Sequence, residues 1–222
     1  MKDELSDIES WQQSEDERLE YEGYCNKIRK GLEDLDEKSG ERALWELVQN
    51  ARDMSSEARI KIELNDTSII FSHHGKPFDY TSFRALVKQD SSKDRNGTDL
   101  VGQYGTGFMT THAFNRLVYV SGPYVVKNGK ETIKGYVQVK DFELDRTLVD
   151  TAEGPKKMRE QLEKVKQLWK GELLQEINDD ATSFRYDLTP LQVRNVSEQL
   201  SSAIRLMPVS YTHLTLPTTP YV

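Results

Sequence analysis

The sequence predicts an α+β protein, a two-layer sandwich of one mixed, mostly antiparallel sheet with helices on one face. Several long segments carry apolar residues at three- and four-residue steps, the period of an amphipathic helix. Others alternate apolar with polar residues, the period of a half-buried strand. Turn pairs such as Asn65-Asp66 and Asn128-Gly129 sit between consecutive strand segments, and so short a link makes the pairing antiparallel.

In chain order, residues 1–38 are polar and Glu-rich, with Trp11, Leu19, Tyr24, Ile28, Leu32 and Leu35 at mostly helical spacing, which predicts a leader of one or two helices. A second helix is expected over 39–55 from Leu44, Leu47, Val48 and Ala51. Strands follow at 58–64 and 67–72, then a polar break at 73–77 and a short helix over 79–89. Residues 90–107, rich in Ser, Asp, Asn, Gly and Lys, read as a loop that opens a helix over 107–115. Strands are expected at 117–126 and 132–139, a charged helix at 155–177, a strand at 182–188 and a helix from Pro190 to 206. Residues 207–222 contain no Asp, Glu, Lys or Arg, in a chain that is 30% charged. They read as a non-native tail set apart from the domain at 39–206, which implies that the natural chain continues beyond 206.

Thirty basic against 37 acidic residues give a net charge of −7, which offers no general reason to bind nucleic acid or an anionic membrane. Cys25 is the single cysteine and cannot close an internal disulfide; with no signal peptide or membrane-length apolar run, a cytoplasmic protein is expected.

Two features carry chemistry. Glu46, Asn50 and Asp53 fall within an arc of roughly 60° on the second helix, while Leu44, Val48 and Ala51 point the other way. Alone, that is as readily a solvated polar face. The second is Gly102-Gln103-Tyr104-Gly105-Thr106-Gly107-Phe108. Three glycines in six residues clear the side chains from a backbone that enters a helix, and free amides at a helix start suit an anion such as phosphate. The spacing G-x-x-G-x-G is not the dinucleotide-binding G-x-G-x-x-G, and no Walker-type lysine loop is present.

In order, Glu46 to Asp53, Ser72 to Phe78 and Gly102 to Phe108 resemble the three boxes of the GHKL ATPases, the superfamily of gyrase, heat-shock chaperones, histidine kinases and mismatch-repair ATPases. The likeness spans about residues 40–190 and is to a divergent branch near the chaperones. It implies a Bergerat-type fold and ATP with Mg²⁺ as cofactors. Asn50 would ligate the metal through its amide oxygen, and Glu46 would orient or deprotonate the attacking water. Asp53 would line the pocket, and Thr182 would stand on its adenine side. Gly102, Gly105 and Gly107 would bring amides to the phosphates, with Tyr104, Thr106 and Phe108 in the same binding segment. Lys88 and Lys93 are further candidates for phosphate charge.

The middle box departs from the family. His73 replaces the aspartate that accepts the adenine amino proton, with His74 beside it; Gly75 is kept and Pro77 replaces a glycine. A neutral imidazole still offers one acceptor, so nucleotide binding is expected to weaken as pH falls through about 6.5. The paired histidines lack Cys or His partners at metal-ligand spacing. The resemblance implies an ATPase module; a non-hydrolysing nucleotide sensor and a histidine-kinase catalytic domain are the alternatives. A homodimer and a C-terminal transducer or effector region are the implied partners.

Overall fold

The computed structural model describes residues 2–55, 59–89, 106–129, 132–177, 179–206 and 212–215. Its helices are α1 (Lys2–Glu33), α2 (Ser39–Met54), α3 (Tyr80–Lys88), α4 (Thr106–Met109), α5 (Gly154–Gln167) and α6 (Pro190–Leu206). Its strands are β1 (Ile60–Leu64), β2 (Ser68–His74), β3 (Leu117–Asn128), β4 (Thr132–Asp145), β5 (Ala181–Asp187) and β6 (Thr212–Thr215). They form one sheet in the order β4-β3-β5-β2-β1-β6, antiparallel throughout except where β6 runs parallel to β1. This is the expected α+β sandwich. Thr212–Thr215 belong to the tail that the sequence set apart from the domain; they lie along the outer edge of β1, where they cover its otherwise unpaired backbone groups.

Side chains alternate across the sheet, and one face is buried. On β2 the inward residues are Ile69, Phe71 and His73, and on β5 they are Thr182, Phe184 and Tyr186. Val118 and Val120 of β3 continue that face. The opposite face is half exposed and polar, with Arg185 stacked 4.0 Å from the Tyr119 ring centroid. The core joins this inward face to Leu44, Leu47 and Ala51 of α2, Phe83 and Leu86 of α3, and Val193, Val196 and Leu200 of α6.

Several boundaries differ from the sequence expectation. The leader is one 32-residue helix, and Cys25, Ile28 and Leu32 near its C-terminal end join the core. β3 and β4 extend to Asn128 and Asp145 because their mutual ladder continues past the apolar run, with register shifts at Val120/Gly122 and Val126/Lys127. The expected helix over 155–177 ends at Gln167. A 3-10 turn (Leu168–Lys170) follows, and Leu174 then bridges to Tyr136 of β4. The helix expected over 107–115 is one short α-turn, α4, followed by a 3-10 turn at Thr110–Ala113. α3 starts on a capping box in which the Asp79 carboxylate accepts from the Ser82 amide at 2.9 Å.

Candidate functional site

α2 presents the first group of residues. Its buried positions (Ser39, Gly40, Ala43, Leu44, Leu47, Asn50, Ala51 and Met54) occupy one side of the helix. Asn50 lies at the margin of that side and is 4% exposed, Glu46 one turn earlier is half-buried, and Asp53 is exposed. The three residues therefore straddle the line between core and solvent instead of forming a solvated face. Asn50 Nδ2 is buried and has no hydrogen-bond partner among the described residues. Rotating the amide by half a turn would present its oxygen in the same place.

Gly107, at the start of α4, packs directly on Glu46. A Cβ added to Gly107 would overlap the Glu46 carboxylate, lying 2.5 Å from its Cδ. No side chain larger than hydrogen fits unless Glu46 moves, so the glycine admits a close approach of backbone to carboxylate. Gly75, just past β2, sits the same way on the last turn of α2, where a Cβ would lie 3.1 Å from Met54 Cβ. Parts of all three sequence motifs thus meet at α2. Gly102, Tyr104 and Gly105, together with Lys93, lie outside the described residues, and of Thr106 only the backbone is described. Phe108 is fully buried, with its ring centroid 5.2 Å from that of Phe184.

The sheet supplies the second group. His73 and Thr182 are direct cross-strand partners of β2 and β5, 1% and 2% exposed. The His73 ring lies nearly parallel to Phe184, with centroids 6.3 Å apart. Neither ring nitrogen has a partner among the described residues. Burial pushes the His73 pKa down to about 4, so the ring is neutral over the physiological range. Gly122 of β3, at φ +150°, passes so close that a Cβ there would lie 2.9 Å from Thr182 Oγ1. Buried polar groups without partners each cost about 1–3 kcal/mol. Asn50 and His73 on the inner surfaces of the helix and sheet layers are what a polar ligand would satisfy.

Other expectations are revised by the fold. Lys88 is not available to a phosphate: it is buried and donates to Glu20 Oε1 at 3.0 Å and to the Tyr24 hydroxyl, tying α3 to α1. His112 lies in the 3-10 turn that replaces the end of the expected helix and is 3% exposed, packed against Phe108. Burial, reinforced by the nearby Arg146 charge, pushes its pKa down to about 3. The histidine pair splits across the sheet. His74 points to the opposite face and pairs with Asp180 at 2.5 Å, with Asp179 close by. Asp180 is 106 residues away in sequence, which is why no local spacing revealed the pairing.

The sequence missed Arg146 altogether. It is fully buried beyond the end of β4, and Nη2 donates to the carbonyl oxygens of Val87 and Leu86 at 2.5 and 3.4 Å, at the C-terminal end of α3. Its Nε and Nη1 have no partner among the described residues, and burial lowers its pKa to about 9.

No protein-family model matches the chain, and no curated protein matches it.

Proposed function

We propose that the chain is a GHKL-type module that binds ATP with Mg²⁺ between α2 and the sheet and hydrolyses it. The observation that carries this reading is the packing of Gly107 on Glu46. It joins the glutamate of the first motif to the glycine segment of the third, which is the adjacency a phosphate group and its attacking water require. Asn50 fits as the magnesium ligand, being a side chain with a hard amide oxygen whose buried nitrogen lacks a partner among the described residues, so that a half-turn of the amide costs that nitrogen no bond. The bound ion would neutralise phosphate charge and hold the phosphates in place. Glu46, one helical turn away and only half-buried, would accept a proton from water. His73 and Thr182, side by side on the inner face of the sheet, would receive the base.

The test separates binding from turnover. Calorimetric titration of Mg·ATP should detect binding in the parent and lose it in Asn50→Ala. Glu46→Ala should keep affinity within a few-fold and abolish phosphate release, since its interaction matters mainly in the transition state. Binding without phosphate release in the parent would make the module a sensor instead of an ATPase. Absence of binding in the parent would end the reading.

A further inference from the structure

We propose that His73 reads the edge of a bound purine in whichever tautomer the base demands, so that the site accepts guanine as well as adenine nucleotides. The inference rests on the nucleotide reading above and concerns which nucleotides that site takes.

At one ring position adenine carries an amino group, a donor, and guanine carries a carbonyl oxygen, an acceptor. A carboxylate in the base-reading place can only accept. It pairs with the adenine amino group and opposes the guanine oxygen with lone pairs. A neutral imidazole has one N–H and one bare nitrogen, and which is which is normally fixed by the partner of the other nitrogen. His112 is the ordinary case in this fold: its Nδ1 lies 3.3 Å from the Asn115 carbonyl oxygen, which holds the proton on that nitrogen. His73 differs. Neither nitrogen faces a protein partner among the described residues, its neighbours being the Phe71 and Phe184 rings. Only the adjacent His74 backbone acts on the ring, without reaching hydrogen-bond geometry, so a base that does reach it could set the tautomer.

Thr182, its direct cross-strand partner, extends this ambivalence. A hydroxyl donates or accepts by rotation about one bond. The imidazolium, which could only donate, is not populated near neutrality because burial holds the ring in its neutral form. The edge offered to a purine therefore consists of two groups, each able to switch polarity, where the family pattern has a fixed acceptor.

The experiment titrates the 222-residue chain with Mg·ATP, Mg·GTP and Mg·UTP by calorimetry, and records side-chain ¹⁵N shifts of His73 in the purine complexes. Expected are ATP and GTP dissociation constants within about tenfold of each other, the difference one net hydrogen bond makes. The protonated nitrogen should exchange between the two complexes. His73→Asp should raise the preference for ATP over GTP by on the order of 100-fold, as a site with unmatched polar groups does. His73→Asn, neutral and carrying both donor and acceptor, should keep the two within tenfold and serves if the buried aspartate prevents folding, which a thermal melt would reveal. ATP binding with GTP weaker by more than a hundredfold in the parent, or one tautomer in both complexes, overturns the inference and leaves the ATP reading intact. Binding of neither purine overturns both.

Discussion

His73 and Thr182 face each other across β2 and β5 at the end of an inward row whose next pair is Phe71 and Phe184. The row is apolar but for the Tyr186 hydroxyl until that point, and then two polar side chains are buried side by side. Burial changes what the histidine can do. An exposed imidazole would titrate near 6.5, whereas this one is held neutral down to about 4.

Nucleotide affinity should accordingly stay flat from about pH 8 to 5.5, and not weaken through about 6.5 as the sequence alone suggests. Calorimetric titration at several pH values checks this. Weakening centred near 6.5 would show that His73 is solvated in solution.

Folding stability should respond instead. His73 and His112 both have depressed native pKa values, about 4 and about 3, against about 6.5 in the unfolded chain. Between those limits the unfolded chain binds protons that the native state does not. Stability is therefore full above pH 6.5 and falls as pH drops toward 4, by roughly 1 kcal/mol per pH unit for each histidine. Urea denaturation at pH 7, 6 and 5 measures the slope, and His112→Gln should remove about half of it.

Gly107→Ala should drive a methyl group into the Glu46 carboxylate and push that half-buried side chain aside, at a cost of about 1 kcal/mol. In a Glu46→Ala background the same substitution should cost well under 1 kcal/mol, since the obstructing group is gone. Thermal melts of the two single variants and the double variant give the coupling. Additive effects would mean that the two residues do not touch.

Lys88→Met should loosen α1 from α3 by removing the donations to Glu20 and Tyr24, lowering stability by about 1–3 kcal/mol. Mg·ATP affinity should be unaffected, because the buried amine is engaged by Glu20 and Tyr24. A tenfold loss of affinity in a folded variant would restore the phosphate role to this lysine.

Arg146→Ala should be the most damaging of these changes, at about 3–5 kcal/mol. It opens a cavity and strips the Leu86 and Val87 carbonyl oxygens of their donor. Arg146→Met should cost less, because it fills the space and removes two buried nitrogens without described partners. Urea midpoints of the two variants provide the comparison.

The α+β class was legible from sequence because helical and strand periods are local properties of the chain. Hairpin turns then fixed which strands pair antiparallel, and the contact between β3 and β4 follows from Asn128-Gly129 alone. Helix ends were less legible. At Gln167 and Met109 the chain leaves the α-helix for a 3-10 turn with no glycine or proline stop signal, under the influence of packing. The spacing of Glu46, Asn50 and Asp53 put them near one helix face, but only the position of α2 against the sheet decided which is buried, half-buried or exposed.

Residue identity and spacing thus determined the elements, the antiparallel hairpins and the candidate motifs. The tertiary structure decided that His73 is buried with both nitrogens unpartnered among the described residues while His74 pairs with Asp180 on the other face. It also decided that Gly107 touches Glu46, that Lys88 is spent on α1, and that Arg146 is in the core. The physical reason is common to all of these. Burial and partnership are set by what packs from a distance along the chain, and a side chain's protonation and availability follow from them and not from its neighbours in sequence.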